Sequence, residues 1–185
     1  NDLNSPYYRR LAYDEILSNL LVLSHARKRI RKFKKKEKNF DNSLSEKIKK
    51  NFSFSLTTDQ KKSIEEINND LKSSYKMFRI LQGDVGTGKT IVALICAANV
   101  INSKFQVVFM SPTEILATQH YNLAKKILSS SKININLLTG KTKTKEKKKI
   151  KTNLLEGKIN LLIGTHAVFQ KNIEYKNLGL AIIDE

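Results

Sequence analysis

Eight consecutive residues have the composition and spacing needed to bind the phosphates of a nucleoside triphosphate. They fit the pattern G-x-x-x-x-G-K-[ST] and are Gly83, Asp84, Val85, Gly86, Thr87, Gly88, Lys89 and Thr90. Glycine lets the backbone pass through positive φ and approach phosphate oxygens without a Cβ in the way. Backbone N–H groups and the positive end of the next helix then bind the anion. Lys89 is predicted to reach the β- and γ-phosphates of ATP, and the Thr90 hydroxyl to bind Mg²⁺.

An acidic pair near the end of the sequence is the second candidate for chemistry. Asp184 and Glu185 follow the apolar residues 180–183, which predict a strand. Asp184 is predicted to hold Mg²⁺ through its water shell, and Glu185 to polarise the attacking water. A bare Asp-Glu pair is common, so this prediction depends on the phosphate-binding loop upstream. Lys89, Asp184 and Glu185 are the predicted catalytic residues.

A glutamine shortly before the loop is a candidate for binding the base of the nucleotide. Thr57 or Thr58 is a candidate N-cap for a helix with apolar residues at 64, 67 and 71. Gln60 lies one turn into that helix, and its amide offers both a donor and an acceptor to an adenine edge. An ordinary helix start is the alternative, and proximity to the loop favours the adenine interpretation.

Alternating strands and helices are predicted to position these groups. The predicted strands are 77–82, 106–110, 133–138, 160–163 and 178–183, with helices at 91–101, 114–128 and 144–156 and a short one after 166. This alternation predicts an α/β fold with a mostly parallel, doubly wound sheet and right-handed crossovers. Ligands collect outside the carboxyl ends of such strands. The phosphate-binding loop and residues 111–113, 139–140, 164–166 and 184–185 all fall at such ends.

The first 50 residues are predicted to form a helical linker, and residues 51–185 a nucleotide-binding lobe. One long helix is predicted from Pro6 to about Lys38, with an apolar stripe and a strongly basic second half. That basic half either lies near phosphates or is a solvated helix end. Residues 39–50 are polar and leave room for one short helix.

The charge balance favours a polyanionic partner such as nucleic acid. Lys and Arg number 34 against 17 Asp and Glu, for a net charge of +17. A general bias of the composition toward lysine is the alternative explanation. No apolar run approaches the length that spans a membrane, so no membrane partner is expected. The sequence lacks an initiator Met and ends on a strand pattern, which suggests a piece of a longer protein.

The cysteine and histidine content predicts no disulfide framework and no zinc site. Cys96 is the only cysteine and lies in the apolar helix after the loop, as a core residue of a cytoplasmic protein would. His120 and His166 are interpreted as ordinary hydrogen-bonded side chains, because scattered histidines do not form a metal cluster.

Five stretches, taken together, resemble a family. Residues 83–90, 111–120, 137–140, 164–167 and 182–185 resemble, in order, motifs I, Ia, Ib, Ic and II of superfamily 2 helicases. Residues 54–57 with Gln60 are similar to the Q-motif, which adds Phe54 to the residues implied to bind nucleotide. The nearest resemblance is to RecG-type branch-migration helicases, and residues 9–15 resemble the linker before their motor.

The resemblance implies an ATP- and Mg²⁺-dependent DNA helicase, here its first RecA-like lobe preceded by a long helix. Such motors remodel branched double-stranded DNA at stalled forks and Holliday junctions, in recombination and repair. Motifs Ia, Ib and Ic would contact the DNA backbone through Pro112, Thr113, Glu114, Thr139, Gly140, Thr165 and His166. Backbone contacts suit a translocase because they impose no sequence. The second lobe, with its arginine, and the wedge domain are not in this sequence, so the isolated chain is expected to hydrolyse little ATP. A monomer is expected.

Two other functions stay open from the sequence. The transcription-repair coupling factor shares the Gly-Asp-Val-Gly loop, although Glu114 and the Arg-Arg-Leu-Ala-Tyr stretch at 9–13 favour the RecG type. A non-enzymatic, nucleotide-gated DNA-binding scaffold is the alternative of a different class. The sequence leaves open the preferred junction, the polarity, the step size and the role of the lysines at 141–149.

Overall fold

The computed structural model describes residues 5–31, 43–50, 54–129 and 131–184. Its helices are α1 (Pro6–Arg31), α2 (Ser43–Lys50), α3 (Thr58–Lys72), α4 (Lys89–Asn102), α5 (Glu114–Ile127) and α6 (Thr144–Leu155), with a 3₁₀ turn at His166–Phe169. Its strands are β1 (Gln106–Met110), β2 (Ile135–Leu138), β3 (Leu161–Gly164) and β4 (Leu178–Ile183). These bounds confirm the predicted helices and four of the predicted strands to within a few residues.

The four strands form one parallel sheet in the order β2-β3-β1-β4. The register places Met110 beside Gly164 on one side and beside Ile183 on the other. All four carboxyl ends therefore meet at one edge of the sheet. The residues that follow the strands, among them Asp184 and the predicted DNA-side residues, leave the sheet at that edge. The loop at 83–90, predicted to follow a strand, follows none among the described residues.

Apolar side chains cover both faces of the sheet. Since successive strand residues point to opposite faces, Val107 and Phe109 of β1 join one buried cluster and Val108 and Met110 join the other. The helix α4 packs into the first cluster, as its apolar composition predicted. Cys96 of that helix is buried, and burial raises the pKa of its thiol to about 12. The thiol is therefore unreactive in the folded chain.

The strand predicted at 77–82 is wrong, because the structure assigns no strand there. Phe78 and Ile80 are 75% and 79% exposed. No strand of the described chain pairs with this segment, since β4 ends the sheet and its neighbour is β1. The segment is held instead by Arg79, whose guanidinium bonds to Asp70 at 2.7 Å and Glu66 at 2.8 Å on α3. The hydrogen bond to Asp70 is the main cause that raises the pKa of Arg79.

The helix α1 confirms the predicted N-terminal helix as far as Arg31, and the predicted extension to Lys38 lies outside the described residues. The large apolar side chains whose burial is described on this helix are exposed, with Leu11 and Leu20 as examples. The short helix α2 packs on α4 through Ile48, which is fully buried. The division between linker and lobe at residue 50 stays a prediction.

Within the described ranges, no helix combines the length and the apolar character needed to cross a bilayer.

Candidate nucleotide site and neighbouring strand-end loops

The loop at 83–90 has the backbone geometry that phosphate binding needs. Gly86 and Gly88 have φ of 85° and 79°, in the left-handed region. Gly88 is the N-cap of α4, and its carbonyl accepts hydrogen bonds from the amides of Ile91 and Val92. The amides of the first helical residues, Lys89 and Thr90, have no partner four residues earlier in the helix. These donors and the helix dipole favour an anion at this end of α4.

Lys89 lies across the loop that precedes it. Its Nζ donates to the carbonyl oxygens of Gly83 at 2.6 Å and Asp84 at 2.9 Å. The Thr87 hydroxyl donates to the Asp84 carbonyl at 2.8 Å and so helps to close the turn. The ammonium group is therefore held at the loop by weak neutral acceptors. Phosphate oxygens are charged acceptors and would bind it more strongly.

Gln60 connects α3 to the phosphate-binding loop. Thr57 is the N-cap, and its N–H donates to Gln60 Oε1 at 3.0 Å while its hydroxyl accepts from the Gln60 N–H at 3.2 Å. The other end of the same side chain, Nε2, donates to the Thr87 carbonyl at 2.9 Å. The contact with the loop was not part of the sequence prediction. An amide has two N–H donors and two lone pairs, so these bonds use half of its capacity.

Asp184 lies at the carboxyl end of β4, level with the end of β1. Its backbone N–H donates to the Met110 carbonyl at 2.9 Å. Its Oδ2 lies 2.7 Å from Nε2 of His120 on α5. The His120 ring stacks on Phe109 with centroids 4.9 Å apart. His120 was interpreted as an ordinary hydrogen-bonded side chain, and no sequence pattern links two residues this far apart. Glu185 lies outside the described residues.

The residues present fit a nucleotide-bound Mg²⁺. In the described ranges, no three His, Cys, Asp or Glu side chains gather as a metal site. Mg²⁺ at phosphate-transfer sites commonly has one or two protein oxygens, with phosphates and waters completing the octahedron. The Thr90 hydroxyl and the Asp184 carboxylate are hard oxygen donors of the required kind.

The predicted DNA-side residues follow β1, β2 and β3 at the same edge of the sheet. Thr113 caps α5, where its hydroxyl accepts from the Leu116 N–H at 3.2 Å. Thr165 donates its N–H to the Leu138 carbonyl and leads into the 3₁₀ turn. The exposed members of the set are Pro112, Thr113, Gly140 and His166, whereas Thr139 is buried. The structure thus brings the predicted residues to one edge of the sheet, but only some of them are exposed to solvent.

Glu114 ties the loop after β1 to the loop after β2. Its Oε1 accepts from the Lys141 backbone N–H at 3.2 Å, and its Oε2 lies 3.0 Å from Lys141 Nζ. The hydrogen bond with the Lys141 side chain is the main cause that lowers the pKa of Glu114, and Thr139 adds a further hydrogen bond. The carboxylate is therefore engaged within the protein. A carboxylate would repel a DNA phosphate, so its place between these loops suits a supporting role.

A loop with the phosphate-binding pattern, together with an aspartate and polar loops at the carboxyl edge of a parallel sheet, is typical of a nucleotide-dependent enzyme of the helicase class. A sequence model described as DEAD/DEAH box helicase matches residues 57–185. The chain belongs to this family.

Within the family, the chain is similar to RecG proteins. It is 42% identical to the ATP-dependent DNA helicase RecG of Aquifex aeolicus over 185 residues, which is 100% of this chain and 23% of that protein. It is 45% identical to RecG of Thermotoga maritima over 180 residues, 95% of this chain and 23% of the relative. A solved structure of RecG bound to a three-way DNA junction matches with a TM-score of 0.89 and 44% identity, over 96% of this chain and 24% of that one. The chain thus spans about a quarter of the length of these relatives.

Proposed function

We propose that this chain is the ATP-binding lobe of a motor that moves on double-stranded DNA and remodels branched junctions. The observation that carries the proposal is the shared edge of the sheet. The phosphate-binding loop leads into α4, and Asp184 and the polar loops after β1, β2 and β3 leave the sheet at its carboxyl edge. A motor needs its nucleotide site and its nucleic-acid site on one rigid unit, so that a change at the first site displaces the second.

Each residue of the nucleotide site has a proposed role. Lys89 exchanges the two carbonyl oxygens of its loop for the β- and γ-phosphates of ATP. Thr90 and Asp184 would hold the Mg²⁺, which would supply positive charge to the phosphates, and Glu185 would orient the attacking water. Gln60, already bonded to the loop at Thr87, faces the adenine together with Phe54. The remaining loop residues bind phosphate through their backbone N–H groups.

The strand-end loops have a proposed role on the DNA backbone. Thr113 and Thr165 donate hydroxyl hydrogen bonds to phosphates, and Pro112, Gly140 and His166 line the same surface. Glu114 and Thr139 hold the loops after β1 and β2 in register with each other. Contacts of this kind position a protein on DNA without reading its sequence, which a translocase requires.

Branched DNA is the proposed substrate because the similar proteins are RecG helicases, one of them described with a three-way junction. The strongly basic composition, with a net charge of +17, supports a DNA partner. We also propose that the motor acts as a monomer in the cytoplasm. Cys96 is a buried free thiol, as is usual in a reducing compartment.

Lys89→Ala in the intact protein tests the motor. The substitution removes the only side-chain cation of the loop, so ATP-dependent fork reversal should fall by at least about a hundredfold. Lys72→Ala, at the exposed end of α3, is the matched control and should reverse forks at the wild-type rate. A DNA-binding scaffold whose output does not depend on ATP would keep that output in Lys89→Ala. Equal fork remodelling by wild type and Lys89→Ala would therefore contradict the proposal.

A further inference from the structure

The side chain of Asp184 is held on one side by a histidine from a neighbouring helix. Nε2 of His120 lies 2.7 Å from Oδ2 of Asp184, and the two side chains are 11% and 30% exposed. An ionised carboxylate only accepts hydrogen bonds, so the imidazole donates through Nε2–H. The partial burial of the pair lets this hydrogen bond direct the carboxylate, because little water competes for it.

The ring that makes this bond is itself fixed. His120 stacks on Phe109 with an interplanar angle of 15°, and Phe109 is a buried residue of β1. A ring lying flat on a core residue has little freedom to turn, so its N–H points in one direction. The bond therefore fixes the carboxylate of Asp184 in space.

A buried hydroxyl near this pair, that of Ser111, does not help to orient Asp184. Ser111 follows Met110, the register partner of Ile183, and so lies level with Asp184. Its side chain is completely buried, yet among the described residues its Oγ has no hydrogen-bond partner. In the described chain, His120 is thus the side chain seen to orient Asp184.

We propose that His120 is a positioning residue for the metal-binding carboxylate. It holds Oδ2 of Asp184, so that Oδ1 would be the oxygen offered to Mg²⁺ or to its waters. This inference rests on the proposed function, because it requires that the site binds Mg²⁺ with ATP. Groups that orient a metal-binding side chain commonly change metal affinity by about 10- to 100-fold when removed.

The position of His120 on α5 extends its role beyond the metal. The same helix starts at Thr113 and Glu114, next to the proposed DNA-side loops, and His120 lies about 9 Å further along its axis. A rigid helix thus joins the loop after β1 to the aspartate after β4. The bond therefore links the helix that begins at Thr113 and Glu114 to the aspartate of the proposed nucleotide site.

Two substitutions of nearly equal size separate positioning from packing. His120→Gln keeps an N–H donor near the place of Nε2, whereas His120→Met has a similar length and volume and no donor. Both lose the aromatic stack on Phe109 equally. Gln119→Met, at an exposed position of the same helix, is the control for adding a methionine to α5.

The measurement is binding of a fluorescent ATP analogue to the intact protein as Mg²⁺ is titrated, with thermal unfolding to verify folding. His120→Met should raise the Mg²⁺ concentration for half-maximal binding by about tenfold or more. His120→Gln should stay within about threefold of wild type, and Gln119→Met should match wild type. If His120→Met does not fold, His120→Phe, which retains the stack on Phe109, takes its place with the same expectation.

An unchanged Mg²⁺ midpoint in a folded donor-free variant would overturn the inference, as would equal losses in the Gln and Met variants. These results leave the proposed function intact, because the wild type still binds the nucleotide with Mg²⁺. Failure of the wild type to bind the analogue at any Mg²⁺ concentration would instead overturn the proposed function and this inference with it.

Discussion

At the scale of single residues, the nucleotide site is held by hydrogen bonds that ATP must replace or preserve. Lys89 donates to carbonyls of its own loop, and these bonds would have to break for its proposed contact with phosphate. The bond from Gln60 to the Thr87 carbonyl supports the loop from outside. Affinity for ATP should thus depend on how closely this hydrogen-bonded loop matches the shape that binds phosphate.

Gly88 is the residue at which the loop tolerates a side chain least. Gly88→Ala places an L-residue at φ 79° and a Cβ 2.6 Å from Gln60 Nε2. The left-handed backbone alone costs about 1–2 kcal/mol, and the contact with Gln60 adds to it. We expect Gly88→Ala to lower the free energy of unfolding by that amount or more and to weaken ATP binding.

A double-mutant cycle with Gln60→Ala divides the two costs, with urea unfolding as the measurement. Gly88→Ala should cost less in the Gln60→Ala background, because the side chain that its Cβ meets is then gone. Equal losses of unfolding free energy in both backgrounds would show that contact with the Gln60 side chain does not contribute to the destabilisation.

Glu114 makes loop stability depend on pH. Its folded-state pKa is lowered from 4.5, mainly by the hydrogen bond with Lys141. The folded state therefore gains stability above the ordinary pKa and loses it as the pH falls through the lowered one. Glu114→Gln should be slightly less stable than wild type near pH 6, and the difference should shrink toward pH 3. The effect is small because Lys141 is largely exposed and solvent screens the pair.

Thermal unfolding of wild type and Glu114→Gln across this range provides the measurement. Glu156→Gln is a control, since Glu156 pairs with Lys158 away from the strand-end loops. A stability difference for Glu114→Gln that grows as the pH falls would contradict the assigned direction of the pKa shift.

At the scale of secondary-structure elements, close packing of strand ends decides where the polar loops leave the sheet. Gly164 ends β3, and a Cβ built on it would lie 1.9 Å from the Leu138 carbonyl oxygen of β2. Backbone cannot move aside as a flexible side chain does. The loops after β2 and β3 can therefore approach each other only because residue 164 is glycine.

Gly164→Ala should destabilise the fold by about 3 kcal/mol, within the range for strained core substitutions. Gly140→Ala is the matched control at the end of the neighbouring strand. Its added Cβ would meet only the end of the Glu114 side chain, at 3.3 Å. Urea denaturation of the two variants measures the difference, and equal stabilities would contradict the packing argument.

Periodicity predicted most elements because their patterns are local. The strands 106–110 and 178–183 agree with the structure at both ends, and the helix after the phosphate-binding loop differs by one or two residues. The segment 77–82 has the same apolar character, but a strand also needs a neighbour to pair with. Phe78 and Ile80 of this segment are exposed, so its apolar composition alone did not make it a strand without a pairing partner.

The site could be predicted in part for the same reason. The phosphate-binding loop is a contiguous pattern, so its glycines, Lys89 and Thr90 could be identified from spacing alone. The bond between His120 and Asp184 joins residues 64 positions apart, and the pairing of Glu114 with Lys141 crosses 27 positions. Only the fold brings these side chains together. The proposed roles of all these site residues, at the nucleotide as well as on the DNA side, stay predictions.

At the scale of the whole molecule, the sheet edge and the net charge of +17 describe a nucleotide-binding lobe suited to a polyanion. Phosphate contacts by such a surface release counterions, so DNA affinity should fall steeply with salt. The lobe matches about a quarter of each RecG relative. The proposed motor activity therefore has to be measured in the intact protein.

The rate of ATP hydrolysis by the intact protein, with and without a three-way DNA junction, tests the central claim most directly. An ATP-driven motor on branched DNA predicts slow hydrolysis alone and stimulation of at least about tenfold by the junction, more than by linear duplex of equal length. Lys89→Ala should abolish both rates. Hydrolysis that is indifferent to the junction, or that survives in Lys89→Ala, would contradict the account.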